Sequence, residues 1–160
     1  MLLKYLKELP DSRKGTNKTY NQWEILFCTI LSFLCGATSY GKIHSFIESK
    51  FEMLQEDFVF FSGDKIPCYN TIRTIIQSVD QDSLEAIFRQ YSEALSEKSK
   101  EKYRFVACDG KVLRGSFDHF QDKAAAQLLS VFCTQEDLLL GHEAIDEKSN
   151  EIPALRNILN

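Results

Sequence analysis

The spacing of apolar residues changes once along this chain, and that change constrains the fold more than any other feature. Before Ser96-Glu-Lys-Ser-Lys-Glu-Lys102 the apolar residues recur at helical intervals. After it they come in short continuous runs bounded by turn residues, the pattern of strands. The stretch itself is charged and has no periodicity, so it reads as a boundary. A helical half followed by a strand-rich half predicts an α+β chain.

In the first half, Trp23, Leu26, Phe27, Ile30, Leu31 and Leu34 fall at i, i+3, i+4, i+7, i+8 and i+11, which predicts a helix ended by Gly36. Ile25, Cys28 and Phe33 make its other faces apolar too, so it is expected to be central and buried on most sides. The residues before it read as a polar, basic lead-in, with turn signals in Leu9-Pro-Asp-Ser-Arg-Lys-Gly15. A second helix is expected from Ser39, with Ile43, Phe46, Ile47, Phe51 and Leu54 in one stripe. Phe58-Val-Phe-Phe61 fits a strand, a helix end or a packed loop. A third helix follows Pro67, with Ile72, Ile75, Ile76 and Val79 inward and Asn70, Arg73, Thr74 and Gln77 outward. Asp82-Ser-Leu-Glu85 is a capping pattern for a fourth, with Leu84, Ile87, Phe88, Tyr91 and Leu95 inward.

In the second half, strands are predicted at Tyr103–Cys108, Gln127–Cys133 and Leu138–Ile145. Their near-continuous apolar character suggests a sheet covered on both faces. Gly115 to Asp122 is a polar connection, and a last helix starts at Ser149 or Asn150 with Leu155, Ile158 and Leu159 on its apolar side.

The net charge of −4 argues against non-specific nucleic-acid binding by the whole surface, but the charge is uneven. Lys4, Lys7, Arg13, Lys14 and Lys18 face only Glu8 and Asp11 in the lead-in. Lys98, Lys100, Lys102, Arg104, Lys111 and Arg114 make a second basic band, which fits a phosphate partner or a solvated linker. Cys28, Cys35, Cys68, Cys108 and Cys133 include no Cys-x-x-Cys pair, which argues against a disulfide framework and a structural zinc site and for a reducing cytoplasm. Cys28 and Cys35 are expected to share a helix face as small apolar residues. Ile25 to Ala37, the most apolar stretch, falls short of the ~20 residues of a membrane span, so no membrane partner is expected.

Asp109 carries the chemistry. Placed at the tip of an apolar strand ending at Cys108, its charge needs compensation, which Mg²⁺ can provide. Gly110 lets the backbone turn beyond it, and Lys111 and Arg114 are placed to meet phosphates.

Ala107-Cys-Asp-Gly-Lys-Val-Leu-Arg-Gly-Ser116 resembles the hydrophobic-Asp-Gly-Lys-x-x-Arg-Gly-Ser segment of H-repeat-associated (ISAs-type) insertion-sequence transposases of the DDE superfamily. Glu147-Lys-Ser-Asn-Glu-Ile152 resembles a second signature of that family, and Leu9, Asp11 and Arg13 a lead-in without assigned chemistry. The resemblance implies Mg²⁺-dependent DNA cleavage and strand transfer at transposon ends, with Asp109 as the first triad acid and a metal ligand. It implies a helical transposase-associated domain over 1–98 and, over 99–160, a truncated ribonuclease H-like domain of three antiparallel strands and one helix. The family's second and third acids have no counterpart here, so the expected chain is an N-terminal fragment that does not cleave alone. DNA is the expected partner, homo-oligomerisation is open, and no small-molecule substrate is expected.

The alternative is a non-catalytic DNA-binding or dimerising helical module. Asn70 and Arg73 have the donor and acceptor patterns of base readout, although the loop before their helix is too long for a standard helix-turn-helix. The other acids, Asp118 to Glu151, stand mostly at predicted turns, and His44, His119 and His142 lie on separate elements.

Overall fold

The computed structural model describes residues 1–15, 18–61, 63–96, 106–112, 127–134, 138–145 and 156. Among them are helices α1 (Leu2–Glu8), α2 (Gln22–Leu34), α3 (Tyr40–Ser49), α4 (Phe51–Phe58), α5 (Tyr69–Gln77) and α6 (Gln81–Ser96). Strands β1 (Val106–Val112), β2 (Gln127–Cys133) and β3 (Leu138–Ile145) follow, so the chain is α+β. It divides into two units, Met1–Ile87 and Phe88–Asn160, and the division falls inside α6.

α2 is the centre of the helical unit, contacting α1, α3 and α5, as a helix apolar on most sides must. Ile25, Leu26, Phe27 and Cys28 are buried, and so are Thr29 and Ser32. The two hydroxyls donate at 2.7 Å to the carbonyls of Ile25 and Thr29, so their burial leaves no bond unmade. At the start of the helix, the Glu24 carboxylate accepts from the Asn21 N–H at 3.2 Å and from the distant Phe61 N–H at 3.4 Å. At the end, Gly36 N–H reaches Phe33 O and Ala37 N–H reaches Ser32 O, a Schellman closure with Gly36 at φ +86°. A Cβ there would touch nothing within 4 Å, so the left-handed backbone, and not crowding, selects glycine. Cys28 is buried, its thiol pushed up to about 12 by burial and then by the Glu24 charge. Cys35 lies beyond the helix end and is exposed, so the two cysteines do not share a buried face.

The lead-in is not merely a polar arm. Leu2 to Glu8 form α1, and Leu6 and Leu9 enter the core. The lysines dominate its composition, but the leucines recur at helical spacing and find α2 to pack on. Lys7 lies over the Trp23 ring, 4.5 Å from its centroid.

The second helix is broken where one was expected. Lys50, at φ −116° and ψ 13°, separates α3 from α4, yet Ile43, Ile47 and Leu54 still reach one core. Phe58 to Phe61 are a helix end followed by a packed loop: Val59 takes φ 55° and Phe60 and Phe61 turn inward. Phe60 meets Trp23 at 5.2 Å and Phe27 at 5.6 Å, and Phe61 stacks on Phe51 at 5.6 Å. A left-handed valine costs about 1–2 kcal/mol. Burying each phenylalanine contributes about 1.5–3 kcal/mol, which offsets it.

α5 buries Ile72 and Ile75 as its spacing predicts. Its N-cap, Cys68, holds Sγ 3.2 Å from Thr71 Oγ1, and that contact keeps the thiol below its ordinary range. α6 starts earlier than its capping pattern suggests. Asp80, not Asp82, is the cap, accepting from Ser83 N–H at 2.9 Å and Ser83 Oγ–H at 2.6 Å. Asp82 then lies in the first turn, where the helix dipole favours a negative charge. Leu84, expected inward, is exposed.

In the second unit the sheet runs β1-β2-β3, antiparallel throughout. β2 and β3 have the predicted bounds, but β1 continues past Cys108 to Val112. Asp109, Gly110, Lys111 and Val112 pair with Ser130, Leu129, Leu128 and Gln127. Asp-Gly turns readily when isolated; here a neighbouring strand holds it extended. Residues 103–105 lie outside the described residues, as do the polar connection and, apart from the helical Arg156, the predicted last helix.

The expected double cover is not found at β1. β2 alternates, burying Leu129, Val131 and Cys133 and half-burying the residues between, while β1 is exposed at every position. The β3 side is engaged by α6: Arg89 Nη2 donates to His142 O at 2.9 Å and Ser92 Oγ to Leu139 O at 2.8 Å. Phe88 packs on the His142 ring at 5.5 Å. Carbonyls three residues apart on a regular strand point opposite ways. Leu140 is an extra residue in the β2–β3 register, and it brings both carbonyls to α6.

Candidate functional site

Asp109 sits in the middle of β1, not at a strand tip. It and Lys111 are two apart, so they share a face of the strand. Lys111 Nζ lies 3.1 Å from Asp109 Oδ2, with the side chains 70% and 64% exposed. The carboxylate is exposed to solvent, so it does not carry the burial cost that a strand tip inside the core would impose. A pair this exposed is worth about 0–1 kcal/mol.

The register places Asp109 opposite Ser130, and Ser130 opposite His142. The three form one row across the sheet. Neighbouring strands lie ~4.8 Å apart, which separates Asp109 and His142 by about 10 Å. Among the described residues, no group of three His, Cys, Asp or Glu side chains could hold a metal. A two-metal site needs acids from several elements, so the described donors do not fit one. Sequence reasoning did not single out Ser130 or His142 in this row. The signal for them is the strand register, which the turn at Thr134 hints at but Leu140 alters.

Arg114 lies outside the described residues. Asn70 and Arg73 belong to the helical unit, where they line the exposed face of α5 with Thr74 and Gln77. Tyr69 is partly exposed at the start of that helix and meets Tyr40 edge-on at 6.2 Å. The structure thus brings Asp109 and Lys111 together, and Asn70 and Arg73 together, in different units.

The lead-in holds a role that sequence reasoning left unassigned. Arg13 grips Asp11 with two bonds, Nε to Oδ1 at 2.9 Å and Nη2 to Oδ2 at 2.7 Å. Nη2 also donates to Tyr20 O at 2.9 Å, and Lys18 Nζ lies 3.2 Å from Asp11 Oδ2. The Arg13 bonds hold the Asp11 carboxyl well below the usual carboxylate range. Ser12 donates to Ser78 O at 2.7 Å and the Tyr20 hydroxyl to Lys65 O at 3.1 Å, fastening the segment to its own unit. Arg13 and Lys18 are thereby engaged inside the protein rather than presented to a phosphate.

Comparison with known proteins finds a family. The family model described as DDE_Tnp_1-associated matches residues 3–92. The chain is similar to "Putative transposase YncI" of Escherichia coli O157:H7, 31% identical over 159 residues, covering 99% of this chain and 40% of that protein. It is likewise 31% identical to "Putative transposase YncI" of Escherichia coli strain K12, covering 99% of this chain and 62% of that one. "H repeat-associated putative transposase YhhI" of strain K12 is 29% identical, with 99% and 41% covered. The chain therefore spans roughly half the length of these relatives. No solved structure matches it significantly. Among the described residues, no helix is long and apolar enough to cross a membrane.

Proposed function

The chain belongs to the DDE_Tnp_1-associated family, and on that footing we propose that it is the N-terminal part of an insertion-sequence DNA transposase. One observation carries the reading: 99% of this chain aligns with proteins named as transposases, across 40% to 62% of their length. In this reading the partner is DNA at transposon ends, and the three-stranded sheet opens a ribonuclease H-like fold. Asp109 is the first acid, and Lys111 and Arg114 contact phosphates. Mg²⁺ enters only through Asp109. A single carboxylate ion-paired with Lys111 does not hold two metal ions, so no cleavage step is assigned to this chain alone.

The test is a plasmid-nicking and DNA-binding assay on the whole chain. Mg²⁺ or Mn²⁺ is expected to give no nicking, whereas nicking that disappears in Asp109→Ala would reverse that part of the reading. Binding is expected to be weak and salt-sensitive, and Lys111→Glu should weaken it alike on all sequences. No binding even at low salt would remove DNA as the partner.

A second reading, a non-catalytic DNA-binding helical module, is favoured by the exposed Asn70–Arg73–Thr74–Gln77 face on a helix packed through Ile72 and Ile75. It requires Arg73→Ala to lower sequence preference by about 1–3 kcal/mol while leaving the salt dependence nearly unchanged.

A further inference from the structure

Acidic side chains are unevenly spread over the helical unit. Asp and Glu make up 23 of the 160 residues, yet residues 25–47 and 65–79 hold none. The two runs lie apart in the sequence, and the fold joins them. They carry most of α2 and α3 and all of α5, and each of these helices contacts the other two. Burial explains the missing charge at Ile25, Ile43, Ile47, Ile72 and Ile75. It does not explain it at Thr38, Ser39, Ser45, Asn70, Thr74 and Gln77, which are exposed and uncharged. Exposed positions elsewhere in the same unit are acidic, with Glu52, Glu56 and Asp57 on α4 and Asp82 at the start of α6. We infer that the surface shared by α2, α3 and α5 is the helical unit's contact with the phosphate backbone of duplex DNA, with Lys42 and Lys65 as phosphate contacts beside the α5 face that bears Asn70 and Arg73. This rests on DNA as the partner and goes beyond the helical reading by naming the surface and two further contacts.

A polyanion is repelled by acids along its path, so a chain of net charge −4 binds DNA best through a region kept free of them. Glu48, Asp64 and Asp80 mark the limits of this region. Tyr40, the first residue of α3, meets Tyr69, the first residue of α5, edge-on at 6.2 Å, so the starts of the two helices lie side by side. Lys42 is in the first turn of α3, and Lys65 precedes α5 by four residues. Both are exposed, and among the described residues neither is ion-paired, in contrast to Arg13 and Lys18 on Asp11. Neutral donors such as Thr38, Ser45 and Gln77 can bond phosphate oxygens without adding charge. With so few cations on the surface, one added acid there counts as much as one lost lysine.

Fluorescence anisotropy of a short labelled duplex of mixed sequence, titrated with the whole chain over a series of salt concentrations, tests this. Ser45→Glu and Gln77→Glu each place one acid on the surface and should weaken binding about tenfold at low salt. Ala86→Glu adds the same charge at an exposed position of α6 in the same unit and should change binding less than about twofold. Gln77→Glu preserves size and helix preference, so its loss of affinity is not a loss of fold. Lys42→Gln and Lys65→Gln should each lower the slope of log affinity against log salt by about 0.9, one phosphate contact. Equal losses from all three added acids would assign the effect to net charge alone. Unchanged affinity in Ser45→Glu and Gln77→Glu, or an unchanged slope in both lysine variants, would take the phosphates off this surface. Each of these outcomes overturns the inference and leaves DNA as the partner. No binding by the wild-type chain at low salt removes DNA itself, and the inference with it.

Discussion

Ile47 and Val106 are both β-branched apolar residues, and they end in opposite surroundings. Ile47, on α3, is 0% exposed; Val106, on β1, is 40% exposed. The helical unit collects core residues from α1 to α5 and from the Phe60–Phe61 loop into one cluster. The described sheet buries one face of β2 and bonds the β3 side to α6, and it leaves β1 open. The difference is one of backbone chemistry. A helix satisfies its own N–H and C=O groups, so it needs cover only for its side chains. A strand needs partners in its plane as well as above and below it, and among the described residues β1 has one strand beside it, β2.

The largest effect expected from this contrast is in hydrogen exchange, measured at dilution. Amides of Ile25, Ile47 and Ile72 should open only with global unfolding, about 5–15 kcal/mol for an ordinary domain, whereas β1 amides directed away from β2 should open at almost no cost. Equal protection in a demonstrated monomer would erase the contrast. Substitution comes next. Ile47→Ala or Leu54→Ala should lower stability by about 2–5 kcal/mol in denaturant titration, and Val106→Ala or Val112→Ala by about 0.5 kcal/mol or less. A β1 substitution as costly as Ile47→Ala would mean that the strand is covered in solution.

Two smaller effects sharpen the description of the helical unit. Val59→Gly removes the left-handed strain from an exposed position and should raise stability by about 1 kcal/mol; a loss there would show that the valine side chain matters more than its backbone angle. Asp11 titrates lower in the folded chain than in the unfolded one, so its stabilisation is present above the ordinary carboxylate value near 4. It fades as pH falls below that value toward the folded one. Asp11→Asn should therefore cost about 1 kcal/mol near neutrality and nothing in strong acid. A constant difference across that window would place the role of Asp11 elsewhere.

Much of the helical unit is legible in the spacing of its residues. The faces of α5, the burial of α2 from Ile25 to Cys28 and the Gly36 stop follow from local rules, whereas Phe33 and Leu34, expected to be apolar cover at the end of α2, are exposed. The misreadings have particular causes. The lysines of α1 outweigh its leucines in composition, though not in packing. Asp80 and Asp82 are both able caps, and the start of α6 chooses between them. The Asp11–Arg13 clasp joins residues two apart, a separation at which no regular helix would bring them together.

The amino-acid sequence by itself determined the division into a helical and a strand-rich half, the bounds of β2 and β3, and the family to which the chain belongs. These are read from residues within a few positions of one another. Only the tertiary structure decided what Asp109 is: a mid-strand residue, ion-paired with Lys111, in one row with Ser130 and His142. Counting back from the β2–β3 turn would place Ser130 opposite Gly141. The extra residue at Leu140 moves it to His142, and pairing with β2 keeps Asp-Gly extended where the dipeptide alone would turn. Register and strand extension depend on hydrogen bonds to distant segments, and no local spacing encodes those partners.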